Sequence, residues 1–201
     1  LNKSAKRICM PEIDVDFVEE ALLKLLDLDR AWVPKAFGSS LYIRPTMIGT
    51  DPIIRLKASD TYLFYIILCP VGAYFKSAGN AVKIVVEEEY IRAANGGTGE
   101  AKTGGNYANS LLAGQKATAN GYNQVLWLDG LNKKYIEEVG AMNIFFAYKD
   151  KVVTPKLTGS ILPGITRDSV IQLLKSWDIP VEETLLDINQ ITKDIQENKI
   201  I

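Results

Sequence analysis

The stretch Gly96-Gly97-Thr98-Gly99-Glu100-Ala101-Lys102-Thr103-Gly104-Gly105-Asn106-Tyr107 decides the interpretation of this chain, because five glycines surround a single lysine. Glycine lets the backbone adopt positive φ and lets a ligand approach the chain closely. A lone amine between such turns is well placed to meet a ligand. We therefore interpret Lys102 as a candidate Schiff-base lysine, whose amine bonds to a carbonyl carbon.

The glycine-rich stretch does not match the phosphate-binding motifs that it resembles superficially. A Walker A loop needs Gly-Lys followed by Ser or Thr, but Ala101 precedes the lysine here. The dinucleotide-binding pattern G-x-G-x-x-G fails as well, because a match that begins at Gly97 or Gly99 lacks one of the glycines. The sequence therefore argues against a nucleotide site, and a merely solvated surface lysine is the alternative that this loop alone leaves open.

Composition and charge describe an ordinary globular protein. The 201 residues include 23 Lys and Arg against 24 Asp and Glu, which leaves a net charge of -1, and 47% of the residues are hydrophobic. This balance predicts neither a nucleic-acid partner nor a membrane-surface partner. The longest apolar run, residues 63–69, is too short to span a bilayer and is predicted to form a buried strand.

Cysteine and histidine content excludes several kinds of site. The chain has no histidine, and its two cysteines, Cys9 and Cys69, are far apart in sequence. A zinc site, a Cys/His pair and a Ser/His pair are therefore excluded, and no metal is expected. We expect both cysteines to be buried, reduced thiols of a cytoplasmic protein.

Helix and strand patterns extend outward from the lysine into a larger lobe over residues 82–201. An Ala- and Leu-rich helix is predicted over 106–120, and an Asp129-Gly130 turn between apolar runs predicts a hairpin. Strands are predicted over 82–87, 124–129, 136–139, 143–148, 151–154 and 181–185, and further helices over 165–177 and 188–197. This order of elements predicts an α/β lobe.

The first part of the chain predicts a smaller α/β lobe over residues 1–70, joined to the larger lobe by a connection over 71–81. It begins with an amphipathic helix that Asp16 is expected to cap. Alternation in the strand 40–48 places Tyr42 and Arg44 on one face, and a second strand is predicted over 61–69.

Four separated motifs in this order carry a resemblance to a known family. They are Ser40-Leu41-Tyr42-Ile43-Arg44-Pro45, Lys102-Thr103-Gly104-Gly105-Asn106-Tyr107, Glu138-Val139-Gly140-Ala141-Met142-Asn143-Ile144-Phe145 and Leu162-Pro163-Gly164-Ile165-Thr166-Arg167. Together they resemble the branched-chain amino acid aminotransferases. That family has the two-lobed α/β fold of type IV pyridoxal-phosphate enzymes, similar to D-amino acid aminotransferase, and the resemblance runs over essentially the whole chain.

The resemblance implies a role for each of three side chains. Lys102 would bind the aldehyde of pyridoxal 5'-phosphate and act as the general base and acid of the reaction, with burial helping to make its amine nucleophilic. Glu138 would face the pyridine nitrogen, and strand alternation turns Glu137 to the opposite side. Tyr107 would contact the hydroxyl group of the cofactor ring, or simply pack in the core.

The resemblance also implies where the phosphate group binds. Gly164, Ile165 and Thr166 come at a predicted helix start, where free N–H groups and the helix dipole favour an anion. A plain N-cap by Thr166 is the alternative.

For the substrate, the resemblance implies that Arg44 meets the distal carboxylate of glutamate beside Tyr42. Ala141 would lie at the substrate site where many family members have threonine, so that one hydroxyl is absent. An ordinary exposed strand pair is the alternative interpretation of Tyr42 and Arg44.

The implied activity is transfer of the amino group of leucine, isoleucine or valine to 2-oxoglutarate, by a cytoplasmic homodimer of amino-acid biosynthesis. The family has a phosphate-binding arginine shortly before the position of Leu1 and a Gly-Thr-Ala-type loop shortly after that of Ile201, so we expect a fragment of the full enzyme. A D-amino acid aminotransferase, an aminodeoxychorismate lyase and an inactive fragment are the alternatives.

Overall fold

A computed structural model describes residues 1–73 and 81–201, and it divides the chain into two compact units, Leu1–Ala81 and Val82–Ile201. Most of the connection predicted over 71–81, namely residues 74–80, lies outside the described residues. The first unit contains α1 (Asn2–Arg7), α2 (Val15–Leu28), a 3₁₀ turn, β1 (Ser40–Gly49) and β2 (Tyr62–Val71).

The cap of α2 differs from the sequence-based expectation. The N-cap residue is Asp14 rather than Asp16, and its carboxylate accepts a hydrogen bond of 2.9 Å from the N–H of Phe17. A carboxylate at the N-cap reaches the N–H three residues later, and the helix therefore starts before Asp16, which lies in its first turn.

Strands β1 and β2 form a two-stranded antiparallel ribbon, which the side chain of Asp51 closes. That carboxylate accepts hydrogen bonds from the N–H of Asp60 at 2.9 Å and of Thr61 at 3.0 Å, and these bonds lower the pKa of Asp51 to about 2. The strand predicted over 61–69 is therefore present, but the prediction that it is buried is wrong, because each of its residues is exposed or half-buried.

Cys9 and Cys69 are both exposed, so the expectation of buried thiols is also wrong. Among the described residues of the first unit, Ala5 alone is buried. An apolar sequence context therefore did not produce burial here: Cys69 lies in a two-stranded ribbon that covers neither of its own faces, and Cys9 lies in the turn after α1.

The second unit contains the larger set of elements. In chain order they are β3 (Ile84–Val86), α3 (Gly104–Ala119), β4 (Gln124–Leu128), β5 (Ile136–Val139), β6 (Phe146–Ala147), β7 (Val152–Pro155), α4 (Ile165–Ser176), β8 (Val181–Thr184) and α5 (Ile188–Gln196). Strand β4 lies between β3, which is parallel to it, and β5, which is antiparallel; β7 likewise lies between antiparallel β6 and parallel β8. Each element predicted for this unit is present.

Strand β4 supplies the core on both of its faces. Leu126 and Leu128 join one buried cluster, whereas Val125 and Trp127 pack against α3 in another, as the two-residue period of a strand requires. The indole N–H of Trp127 donates a hydrogen bond of 2.9 Å to the carbonyl oxygen of Gly140. This buried sheet holds the loop after β3 and the turn after β5 at fixed positions.

None of the helices within residues 1–73 and 81–201 combines the length and apolarity needed to cross a bilayer.

Candidate active site

The glycine-rich stretch is held against two neighbouring parts of the second unit. A Cβ on Gly99 would lie 2.1 Å from the carbonyl oxygen of Ser160, so this position admits only glycine. The buried amide of Asn106 donates hydrogen bonds to the carbonyl oxygens of Ala101 at 2.7 Å and Thr98 at 2.8 Å. The loop is thereby fixed to the first turn of α3, and Lys102 lies at the start of that helix.

Lys102 itself is exposed, so the burial expected from its proposed role is absent in this structure. The preceding residue, Ala101, is buried with 2% of its surface exposed, whereas the side chain of Lys102 points away from the core. Its amine lies 5.4 Å from the centroid of the Tyr107 ring. The two predicted side chains are therefore neighbours.

A small cavity, open to solvent, brings four of the predicted site residues together. Lys102 comes from the loop just before α3, Tyr107 from the first turn of α3, Glu138 from β5, and Ala141 from the turn after β5. The remaining lining residues are Arg92, Ala101, Asn106, Ser110, Gly140 and Leu162. An amine, a phenol and a carboxylate thus converge on one opening.

Glu138 is 3% exposed and is surrounded by groups that favour its charged form. Its Oε2 lies 3.1 Å from Arg92 Nε, and its Oε1 accepts a hydrogen bond of 2.9 Å from the N–H of Leu162. Arg92 Nε is close enough for an ion pair but makes no hydrogen bond of acceptable geometry, so the attraction is Coulombic. Burial raises the pKa of Glu138 overall, against the opposing effects of Arg92, the Leu162 N–H and Lys102.

Sequence reasoning did not identify Arg92 as a site residue. The arginine is 6% exposed, and its Nη2 donates a hydrogen bond to the carbonyl oxygen of Ser160. The available signal was its position in a short run of Ile91, Ala93 and Ala94, where a charged residue needs a buried partner.

Glu137 lies on the opposite face of β5, as strand alternation predicts, but it is buried as well, at 5% exposed. Ser160 Oγ donates a hydrogen bond to its Oε1, whereas its buried Oε2 has no hydrogen-bond partner among the described residues. Burial raises the pKa of Glu137. Arg92 and Ser160 therefore link two buried carboxylates across the strand.

The start of α4 is formed by the predicted Gly164, Ile165 and Thr166. Gly164 is the N-cap, so the alternative of an N-cap by Thr166 is wrong. Gly164 has no side chain to cap the helix, and the first N–H groups of an α-helix have no intrahelical acceptors. This turn follows directly on Leu162, whose N–H contacts Glu138, so it lies near that carboxylate along the chain.

Tyr42 and Arg44 lie on β1 in the first unit, and both are exposed. Arg44 Nη2 donates a hydrogen bond of 3.2 Å to the Tyr42 hydroxyl, and the guanidinium carbon lies 4.9 Å from the ring centroid. The prediction that these side chains share one face of the strand is confirmed.

A family model described as amino-transferase class IV matches residues 1–196. The chain belongs to the class IV aminotransferases. Among class IV aminotransferase relatives, it is 55% identical over 191 residues to branched-chain-amino-acid aminotransferase 2 of Bacillus subtilis, with 95% of this chain and 53% of the relative covered. It is 54% identical over 192 residues to branched-chain-amino-acid transaminase 1 of the same organism, with 95% and 54% covered. The chain spans about half the length of the curated relatives it matches.

Solved structures agree with the class IV aminotransferase assignment. The branched-chain aminotransferase of Thermoproteus uzoniensis with norvaline superposes with a TM-score of 0.79 at 28% identity, over 94% of this chain and 61% of that one. The Escherichia coli enzyme gives 0.77 at 30%, over 94% and 60%. The Thermobaculum terrenum branched-chain enzyme in its PLP form gives 0.71 at 25%, over 94% and 59%. The predicted α/β fold of type IV is confirmed.

Proposed function

We propose that this chain is part of a pyridoxal-phosphate-dependent branched-chain aminotransferase, which transfers the amino group of leucine, isoleucine or valine to 2-oxoglutarate. The observation that carries the proposal is the convergence of Lys102, Tyr107 and Glu138 on one cavity. Relatives about 55% identical, which carry this activity in their names, support the choice of substrate class.

The donor set of the cavity fits pyridoxal phosphate. Lys102 supplies an amine for the aldehyde, Tyr107 a phenol for the ring hydroxyl, and Glu138 a carboxylate for the ring nitrogen. The first turn of α4, from Gly164 to Thr166, supplies free N–H groups for a phosphate. When bound, the cofactor provides an electron sink for the carbanion that forms at the substrate Cα.

Glu138 has the clearest physical task in this proposal. Burial raises the pKa of Glu138, whereas Arg92 lowers it and so favours the carboxylate form. A protonated ring nitrogen beside Glu138 would favour the carboxylate form further. The carboxylate would in turn keep a proton on that nitrogen. With the cofactor bound, Lys102 Nζ would serve as general base toward the substrate Cα and as general acid toward the cofactor carbon C4′.

Substrate recognition is assigned to Tyr42, Arg44 and Ala141. Arg44 carries a planar guanidinium that can donate two parallel hydrogen bonds to the distal carboxylate of glutamate, and the Tyr42 hydroxyl restrains it. Ala141 offers the substrate a methyl group at the rim of the cavity. Homodimer formation, a cytoplasmic location and a place in amino-acid biosynthesis belong to this proposal and rest on the family resemblance.

Trapping the cofactor tests the proposal directly. The protein is mixed with pyridoxal phosphate, reduced with borohydride, digested and analysed by mass spectrometry. We expect a single dominant adduct on Lys102, lost in Lys102→Arg and kept in Lys116→Arg, a matched control that retains the cation beside Glu89 and Tyr90. Adducts spread over surface lysines in equal amounts would refute the assignment of Lys102.

The substrate class is tested by the spectral change of the cofactor-loaded protein with L-leucine and with D-alanine. A response to L-leucine supports the proposal. A response to D-alanine alone assigns the chain to the D-amino acid aminotransferases, and no response to either supports the inactive fragment.

A further inference from the structure

Asn143 joins two parts of the candidate site that are separate in sequence. Its Nδ2 donates a hydrogen bond of 3.0 Å to the carbonyl oxygen of Leu162 and lies 3.5 Å from Glu138 Oε1. Both neighbours are acceptors, so the amide nitrogen must face them and Oδ1 must point the other way. The N–H of Leu162 also donates a hydrogen bond to Glu138 Oε1. The Asn143 amide, the Leu162 backbone and the Glu138 carboxylate therefore each contact the other two.

The other end of the Asn143 carboxamide lies against Gly164, the N-cap of α4. A Cβ built on Gly164 would lie only 2.2 Å from Asn143 Oδ1, whereas the next neighbouring side chain, that of Arg167, would be 3.7 Å away. Gly164 has φ −67° and ψ 139°, which any residue adopts. The need for glycine at this position is therefore steric and comes from Asn143 alone.

We propose that Asn143 is a positioning residue, which locks the first turn of α4 to the Glu138 carboxylate by seating its carboxamide against Gly164. The consequence for the cofactor rests on the proposed function: Asn143 sets the separation between the group that faces the ring nitrogen and the turn that binds the phosphate. Binding sites lose affinity when such groups move by about 0.5 Å, so this contact determines how well both ends of one ligand fit.

A double-mutant cycle on thermal unfolding tests the lock without any cofactor. Gly164→Ala alone should lower Tm by about 5 °C, because its methyl group overlaps Asn143 Oδ1. Asn143→Ala alone should also lower Tm, because the Leu162 carbonyl loses its donor. In the Asn143→Ala background, adding Gly164→Ala should leave Tm unchanged or raise it, because alanine fits this backbone conformation and restricts the unfolded chain.

A control variant makes the cycle specific. Gly114→Ala is the matched control, since a Cβ there meets no atom within 4 Å and the residue lies inside α3. Additive losses of Tm for Gly164→Ala and Asn143→Ala would overturn the lock.

Ligand affinity provides the second readout. Gly164→Ala should weaken binding of pyridoxal phosphate about 10-fold while changing the affinity for pyridoxal, which has no phosphate, less than twofold. Asn143→Ala alone should also weaken binding of pyridoxal phosphate, because the turn is then no longer held against Glu138, and adding Gly164→Ala in that background should cause little further loss. Equal losses for the two ligands would overturn the positioning role. A wild-type chain that binds neither ligand would refute the proposed function, while the cycle on Tm still decides whether the lock exists.

Discussion

Replacement of Arg92 by methionine tests the electrostatic organisation of the candidate site. Methionine fills similar space but removes the cation that pairs with Glu138 and also favours the charged form of Glu137, two carboxylates that are each at most 5% exposed. It also leaves the Ser160 carbonyl oxygen without its donor. Breaking a buried ion pair from one side costs about 3 to 5 kcal/mol, and we expect a loss of that size in the free energy of unfolding at pH 8.

The loss caused by Arg92→Met should shrink as the pH falls. Burial raises the pKa of both glutamates, so each contributes stability below its unfolded pKa near 4.5 that is lost as the pH rises through the folded value. Without Arg92 those folded pKa values rise further, because Arg92 opposes the shift in both cases. At pH 5 the variant can therefore protonate its carboxyl groups in the folded state and avoid part of the penalty.

Urea unfolding of the cofactor-free protein, followed by the fluorescence of buried Trp127, measures this effect between pH 5 and pH 8. Arg167→Met is the matched control: Arg167 is equally buried, but its partner Glu183 has a side chain 42% exposed, so water can replace the lost partner. We expect a smaller loss for the control and no trend over this pH range. A loss under about 1 kcal/mol for Arg92→Met, or the same loss at both pH values, would refute the reasoning.

Three further predictions concern other parts of the chain. Gly99→Ala should destabilise the second unit by more than about 3 kcal/mol in urea, since its Cβ would overlap the Ser160 carbonyl; a loss below about 0.5 kcal/mol would contradict that contact. Carboxyl NMR should give Asp51 a pKa of about 2. Its stabilising effect is therefore fully present above the unfolded pKa of 3.8 and is lost as the pH falls from there through about 2; a pKa of 3.8 in the folded protein would contradict the hairpin contacts. Tyr148→Phe should lower the free energy of unfolding by about 1 kcal/mol, because it removes the hydrogen bond to Asp194. It should also remove from the titration curve a phenol with a pKa of about 12, since burial and Asp194 raise the pKa of Tyr148; loss of a phenol with a pKa near 10 would contradict this.

Local patterns predicted the parts of the site that depend on neighbours in sequence. The glycines around Lys102 and the helix that follows it come from backbone freedom and local propensity, and these survive in the structure. The two-residue period of a strand was enough to separate Glu137 from Glu138, although it could not show that both are buried. Apolar sequence context gave the wrong expectation for Cys9 and Cys69, because burial depends on what packs over a residue and not on its neighbours in the chain.

Sequence patterns were enough to predict most helices and strands, their order and the family resemblance. The motifs also named Lys102, Tyr107, Glu138 and Ala141, which line one cavity. The folded structure was needed to show that Arg92 is buried against the Glu138 carboxylate, and that Asn143 occupies the space where a side chain at position 164 would lie. The physical reason is range: propensity and periodicity act over a few residues, whereas charge pairing and steric exclusion here join residues 21 to 68 positions apart. Such contacts exist only once the second unit has folded.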